Sequence, residues 1–127
     1  MAKLYESGEN YLETILILHS CGKSARSIDV AREMEVSKPS VSRAVGILRD
    51  GGFIRVEDDG ELTLTETGRE VAERIYERHR VLTDWLMGLG VSAETAAEDA
   101  CKLEHHISEE SFRCLKAHIL KHHKDMK

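Results

Sequence analysis

The sequence predicts a mainly α-helical protein, in which an N-terminal winged helix-turn-helix is followed by a helical second domain. Three observations indicate this arrangement. One proline occurs in 127 residues, and apolar residues recur at helical spacing along much of the chain. Two short capped helices are indicated within residues 27–50, and two alternating runs on either side of Asp59-Gly60 indicate a β-hairpin after them.

Three helices are predicted in the first half of the chain, and each has a recognisable boundary. The first spans about residues 4–20 and presents one apolar face. Ser27 is predicted to cap a short second helix that ends near Met34. Ser37 is predicted to cap the third helix, where Pro39 occupies the first turn and its missing N–H costs little.

A hairpin and three further helices complete the predicted architecture. The hairpin turns at Asp59-Gly60, because apolar and polar residues alternate on both sides of that pair. The fourth helix covers roughly residues 66–88, and the fifth reaches about His106. Each of the last three helices is predicted to begin after a capping hydroxyl, at Thr65, Ser92 and Ser108.

Composition restricts the classes of function. The formal net charge is −5, so any contact with DNA must come from a local basic patch. The N-terminus has no apolar signal region and no stretch is long enough to span a membrane, which predicts a cytoplasmic protein. Three scattered cysteines do not indicate a disulfide framework. An enzyme such as a small metal-dependent hydrolase is not expected, because no HExxH, Gly-rich loop or triad pattern occurs.

The predicted third helix has the composition of a DNA-reading helix. Between Ser37 and Arg49 it carries three basic residues and no acidic one. Cations neutralise phosphates, and Arg and Ser side chains can reach base edges in the major groove. A solvated helix face is the alternative, but the capped helix before it and the hairpin after it weigh against that interpretation. The residues predicted to contact DNA are Arg26, Ser37, Lys38, Pro39, Ser40, Ser42, Arg43 and Arg49.

The composition of the predicted wing tip argues against a contact between the wing and DNA. Residues 57–61, with the sequence EDDGE, are acidic, whereas a wing that grips phosphates would be basic. We therefore expect this wing to contribute little to DNA affinity or to face away from the DNA backbone.

The segment CKLEHH at residues 101–106 indicates a metal site. Glu104 falls within the alanine-rich apolar stripe of the predicted fifth helix, where an unpaired carboxylate is costly. Cys101, Glu104 and His105 stand at i, i+3 and i+4, a spacing that brings three side chains to one helix face. Binding requires a thiolate and a neutral imidazole, so we expect metal affinity to rise with pH.

Each of these residues also has a simpler interpretation. Cys101 could be a small buried side chain, which is the commoner role of a single cysteine. Glu104 could pair with an arginine such as Arg78 or Arg80, and His105 could lie at the surface.

Residues outside the triplet could complete a metal site. His79 borders the apolar stripe of the fourth helix, and Asn10 and Glu13 stand at i and i+3 on the first helix. The tail residues His118 and His122 form a competing i, i+4 pair, for which a solvated terminal helix is the simpler interpretation.

Together these features resemble a known family. The segments SIDVAREMEVSKPSVSRAVGILRDGGFI, YERHR and CKLEHHIS resemble the iron- and manganese-dependent repressors, the diphtheria toxin repressor and manganese transport regulator family, through about Ser111. The resemblance implies that residues 1–66 bind operator DNA and that residues 67–127 form an α-helical dimerisation and metal-binding domain. It implies a homodimer that represses metal-uptake genes when a divalent metal is bound. The chain is expected to be the two-domain form, without the SH3-like domain that some members add.

The resemblance also implies which residues bind the metal. Glu104 and His105 match the two most characteristic family ligands, and His79 matches a ligand histidine. Glu13 matches a first-helix glutamate of the manganese-responsive branch. Asn10 stands where that branch has aspartate and the iron-responsive branch has methionine, so it fits neither.

Cys101 has the largest influence on the expected metal. It occupies a position that is cysteine in iron-responsive members and glutamate in manganese-responsive ones, while Thr83 and Ala97 replace the second-site partners of the iron branch. A thiolate and an imidazole favour Fe(II), Co(II), Ni(II) or Zn(II) over the harder Mn(II). Fe(II) is therefore favoured slightly over Mn(II). The alternative function is a winged-helix DNA-binding regulator that does not sense metal.

Overall fold

The computed structural model describes the backbone of residues 6–125 and the side chains of residues 7–121. Within that range the chain forms six α-helices and one two-stranded antiparallel sheet, which confirms the predicted mainly α fold. The chain divides into two compact units, of which the first ends at Arg74 and the second begins at Ile75. The division into domains at residues 66 and 67 stays a prediction. Among the described helices, none is both long enough and apolar enough to cross a membrane.

The order of the elements follows the predicted order. The elements are α1 (Glu6–Ser20), α2 (Ser27–Met34), α3 (Lys38–Asp50), β1 (Ile54–Val56), β2 (Leu62–Leu64), α4 (Glu66–Gly88), α5 (Ala93–Leu103) and α6 (Glu109–Asp125). The caps predicted at Ser37, Thr65, Ser92 and Ser108 are confirmed. Each of these side-chain oxygens accepts a hydrogen bond from the backbone N–H three residues later.

Two predicted boundaries are wrong. The residue that precedes α2 is Arg26 rather than Ser27, and its backbone N–H donates to Asp29 Oδ2 at 3.0 Å. The carboxylate of Asp29 thus stabilises the start of this helix from within its first turn. Helix α5 ends at Leu103, so His106 lies outside it.

In the first unit, one side of α3 faces the core. The buried side chains of this core come from the helices and the hairpin alike, and include Leu12, Ile15, Val30, Val41, Leu48, Ile54 and Leu62. Between α2 and α3 the chain turns through Glu35, whose φ of 56° lies in the left-handed region. This packing leaves the opposite side of α3 at the surface.

Close packing fixes the start of α4 against the hairpin. A Cβ added at Gly68 would lie 1.9 Å from the carbonyl oxygen of Phe53, so only glycine fits. The Thr65 N–H donates to the same carbonyl at 3.1 Å, and the Thr65 hydroxyl donates to the Gly52 carbonyl at 2.7 Å. The register of β1 and β2, in which Ile54 pairs with Leu64, is thereby tied to the helix that follows.

The second unit has its own small core. Leu82 on α4, Ala100 on α5 and Phe112 on α6 are buried together. Val81, Trp85, Ile107 and Leu115 are partly buried against them. This core holds the C-terminal end of α5 next to α4, which places the candidate site described below.

The acidic wing tip is tied to the backbone of its own unit. The Ala25 N–H donates to Glu61 Oε2 at 2.6 Å, and His19 Nε2 lies 2.8 Å from the same oxygen. The Ser24 hydroxyl donates to Glu61 Oε1 at 2.7 Å. The Ala25 bond first, then those of His19 and Ser24, lower the pKa of Glu61 from 4.5 to about 2. Glu61 therefore has a structural role, and the weak contribution of the wing to DNA affinity stays a prediction.

Replacing this carboxylate should destabilise the first unit in a pH-dependent way. Because the folded-state pKa is lower than the unfolded one, the contribution is fully present above about pH 5 and is lost as pH falls towards 2. We expect Glu61→Gln to lower the free energy of unfolding by about 1–2 kcal/mol at pH 7, less than the full shift implies because the side chain is partly exposed. Urea unfolding between pH 7 and pH 3 measures the difference, which should shrink with acidification. Glu57→Gln is the matched control, and an equal, pH-independent loss in both variants would contradict the role given to Glu61.

Candidate metal centre and nucleic-acid surface

Potential ligand side chains converge around Glu104 in the second unit. His79 comes from α4 and Cys101 from α5, whereas Glu104 and His105 follow in the turn after α5. One ligand atom each of Cys101, Glu104 and His105 lies within 4.8 Å of the other two. His79 Nδ1 lies 2.9 Å from Glu104 Oε2, and His105 Nε2 lies 3.3 Å from Glu104 Oε1. An imidazole therefore flanks each carboxylate oxygen.

The carboxylate of Glu104 is fully buried. Its side chain is 0% exposed, and that of His105 is 1% exposed. Within the described part of the chain, no donor reaches Glu104 Oε1 in hydrogen-bond geometry. A buried carboxylate that lacks a hydrogen-bond donor on one oxygen destabilises the fold. A neutral imidazole can supply a hydrogen-bond donor but no positive charge. The arrangement is therefore suited to a bound cation.

The buried cation of this unit, Arg78, does not neutralise that carboxylate. Its Nη1 donates to the backbone carbonyls of Glu104 at 3.2 Å and Ile107 at 2.8 Å. Its Nη2 lies 2.9 Å from Glu109 Oε2. Arg80 is exposed and lies over an aromatic ring. Among the described residues, neither arginine pairs with the Glu104 carboxylate, which weighs against the simpler interpretation of that residue.

Arg78 also explains why α5 is shorter than predicted. Its guanidinium donates hydrogen bonds to the carbonyls of Glu104 and Ile107. In a continuing helix these carbonyls would instead accept hydrogen bonds from backbone N–H groups later in the chain. The sequence-based interpretation treated Arg78 only as a possible side-chain partner and missed this positioning role. The signal was present, because Arg78 stands three residues after Ile75 and four before Leu82, within the apolar stripe of α4.

The donor set and spacing fit a divalent transition metal. With metal–ligand bonds of about 2.0–2.2 Å, neighbouring nitrogen and oxygen ligands on one ion stand about 3 Å apart, which matches the spacing around Glu104. Carboxylate, imidazole and thiol groups together favour a transition metal over Ca²⁺ or Mg²⁺. Cys101 is exposed and, with His79, lines an open depression that also includes Ala97, Glu98 and Lys102. The cluster therefore has a side that an ion can approach.

The remaining predicted ligands belong to α1, and the competing tail histidines are only partly described. Glu13 is buried and Asn10 half-buried on α1 in the first unit, and their role as ligands stays a prediction. In the second unit His118 is exposed on α6, while the side chains of residues 122–127 lie outside the described part of the chain.

The residues predicted to contact DNA lie in the first unit, most of them on α3. Five of them are exposed along this helix: Lys38, Pro39, Ser42, Arg43 and Arg49. Within the described residues, neither Lys38 nor Arg43 has an ion-pair partner, so both charges remain available for phosphates or base edges. Arg49 lies 3.4 Å from the carboxylate of Asp50, which offsets part of its charge.

The remaining predicted DNA contacts have local structural roles. Ser37 caps α3, and its hydroxyl oxygen lies 2.8 Å from that of Ser40. Arg26 lies 3.5 Å from Asp59 at the wing tip, in an exposed pair. Exposed pairs of this kind are weak, so Arg26 can exchange Asp59 for a phosphate at little cost.

Two regions of the chain match models of known protein domains. Residues 3–62 match the N-terminal DNA binding domain of iron dependent repressors. Residues 65–126 match the metal binding and dimerisation domain of iron dependent repressors. The first match contains α3, and the second contains the whole Glu104 cluster.

Individual relatives are similar across most of the chain. Transcriptional regulator MntR of Escherichia coli O6:H1 is 34% identical over 114 residues, which cover 90% of this chain and 74% of that protein. Iron-dependent repressor IdeR of Mycobacterium bovis is 34% identical over 116 residues, covering 91% of this chain and 50% of that protein. The solved structure of the manganese regulator SloR matches with a TM-score of 0.80 at 28% identity, over 88% of this chain and 53% of that one. The chain thus spans about half the length of IdeR and SloR.

Metal addition should stabilise the protein only when the buried carboxylate is intact. In the wild type, free metal at a hundred times its dissociation constant should raise the free energy of unfolding by about 2.7 kcal/mol. Glu104→Gln keeps the shape of the side chain but removes its charge, so the increment should disappear. Glu98→Gln, on α5 and lining the depression beside Cys101, is the matched control and should keep the full increment. Urea unfolding with and without Mn(II) measures both, and an unchanged increment in Glu104→Gln would show that the ion binds elsewhere.

Proposed function

The chain belongs to the iron-dependent repressor family of metal-dependent transcriptional regulators, and we propose that it represses transcription by binding operator DNA as a homodimer when a divalent transition metal is bound. The proposed regulated genes are those of metal uptake. The observation that carries this proposal is the convergence of Cys101, Glu104 and His105 around a fully buried carboxylate. That cluster lies in the region matched by the metal-binding and dimerisation model.

In this proposal each side chain of the cluster has a defined task. Bound divalent metal supplies the positive charge that the buried carboxylate lacks. Glu104 offers a carboxylate oxygen, His105 offers Nε2, and Cys101 offers a thiolate. His79 holds Glu104 Oε2 at 2.9 Å and serves either as a ligand or as the group that orients the carboxylate. Arg78 fixes the backbone that carries Glu104 and His105.

Regulation requires that metal binding change the affinity for DNA. A metal that binds one conformational state more tightly raises the population of that state. If that state is the one that binds DNA, the protein loses less conformational entropy on binding, and its affinity for DNA rises. The predicted ligands Asn10 and Glu13 remain part of the proposal. The alternative, a winged-helix regulator that does not sense metal, leaves the buried charge of Glu104 without a role.

DNA affinity with and without metal tests the proposed function. Duplex DNA selected from a random pool by the metal-loaded full chain serves as the probe. Fe(II) under anaerobic conditions, or Mn(II), should tighten wild-type binding at least about tenfold, the size of a typical coupling between two sites. Glu104→Ala should remove this tightening, whereas Glu98→Ala should retain it. If metal leaves the affinity of the wild type unchanged, the chain is a regulator that does not sense metal.

We propose that Fe(II) is bound slightly in preference to Mn(II), because Cys101 adds a soft thiolate to the cluster. Co(II), Ni(II) and Zn(II) are expected to bind in vitro for the same reason. The relatives differ in this respect, since one is named an iron-dependent repressor and one structure is that of a manganese regulator.

Replacing the thiol should move the preference towards manganese. We expect Cys101→Glu to change the ratio of Fe(II) to Mn(II) affinity about tenfold in favour of Mn(II), because it exchanges a soft ligand for a hard one. Anaerobic calorimetric titration of both metals measures the ratio. Cys114→Glu, at an exposed position on α6, is the control and should keep the wild-type ratio. A ratio that is unchanged in Cys101→Glu would remove Cys101 from the ligand set.

The expectations of a cytoplasmic protein without enzymatic activity stay predictions. The relatives described above are transcriptional regulators, which accords with a binding function rather than with catalysis. The matched DNA-binding domain accords with a location where the chain can reach DNA.

A further inference from the structure

Ile47 on α3 is exposed to an unusual degree for an isoleucine. It is 71% exposed, the highest value among the large hydrophobic side chains of the described residues. Single exposed apolar residues are common on protein surfaces and need no explanation by themselves. Ile47 is of interest because it lies on α3, the helix that carries Lys38 and Arg43.

The helix geometry places Ile47 beside Arg43 and away from the core. Val41 and Leu48 define the buried side of α3. At 100° per residue, Ile47 points roughly 110° away from that side, and Arg43 is its i−4 neighbour on the surface. A Cβ added at the adjacent Gly46 would meet no atom within 4 Å, so the surface beside Ile47 is open at Gly46. The flank formed by Arg43, Gly46 and Ile47 is therefore accessible to a large partner.

The chemistry of this flank matches one feature of duplex DNA. The segment from Ser37 to Arg49 is basic, which selects a polyanionic partner. In the major groove, the C5-methyl group of thymine is an apolar group that a protein side chain can contact. We propose that Ile47 contacts a thymine methyl group and so makes the protein select thymine at one position of each half-site. This inference rests on the proposed DNA-binding function.

The position along the helix limits where that thymine lies. Ile47 stands four residues after Arg43, which is about 6 Å along the helix axis. Base pairs are spaced by about 3.4 Å, so the selected thymine lies within about two base pairs of the base that Arg43 reaches. Asp50, three residues further on, would repel phosphates, but its carboxylate lies 3.4 Å from Arg49 and is partly neutralised.

Exchanging thymine for uracil tests the contact, because the two bases differ only by this methyl group. The probe is the duplex selected by the metal-loaded full chain, with each thymine of one half-site replaced in turn by deoxyuridine. Burying about one methyl group predicts a loss of affinity of roughly three- to fivefold at one thymine for the wild type. In Ile47→Ala the same exchange should have no effect. Ile47→Ala should also bind the unmodified duplex about three- to fivefold more weakly than the wild type.

The control variant is Ile28→Ala, at an exposed isoleucine on the neighbouring α2. It should keep the wild-type response to uracil even if its overall affinity changes. Tight binding by the wild type with no response to uracil at any thymine overturns the inference and leaves the proposed function intact. A response that persists at the same thymine in Ile47→Ala also overturns it. Failure of the metal-loaded protein to select any DNA overturns the proposed function and the inference together.

Discussion

The carboxylate of Glu104 is the constraint on which the second unit depends. Fully buried, and with one oxygen that no described donor reaches, it is costly wherever a protein cannot compensate its charge. Among the described residues, no arginine compensates this charge, although Arg78 is buried on the adjacent helix and touches the Glu104 carbonyl. Instead the structure surrounds the carboxylate with groups that bind metals. Charge left uncompensated in this way lowers stability, and in the proposed function a bound cation would offset that cost.

Arg78 shows how the site is held in place by groups that cannot themselves be ligands. It donates to the carbonyls of Glu104 and Ile107, which lie between α5 and α6, and pairs with Glu109 at the start of α6. One guanidinium thus joins α4 to the segment that connects the other two helices. The ring of Phe112 packs against it, with its centroid 5.3 Å from the guanidinium carbon.

Local features of the sequence were sufficient for most of the fold, and a long-range contact accounts for the early end of α5. Caps such as Ser92, and the turn at Asp59-Gly60, depend on neighbours within four residues, so the sequence displays them directly. The end of α5 depends on Arg78, which lies 26 residues away along the chain, and no local pattern reports that contact. The cluster of Cys101, Glu104 and His105 was predicted from helical spacing. The three ligand atoms do converge, although His105 reaches the cluster from a turn after the helix.

The functions proposed for the two units depend on burial to different degrees. A metal site needs several side chains that packing brings together away from water. The sequence therefore shows which ligand types are present, but packing decides whether they converge on one ion. A reading helix needs one buried side and one open side, and both follow from a single amphipathic pattern. Charge draws attention to Lys38 and Arg43 on the open side, whereas it gives no indication of an exposed apolar residue such as Ile47. Specificity in DNA recognition uses apolar contacts as well as charged ones, so the exposed apolar residues of such a helix carry information that charge patterning omits.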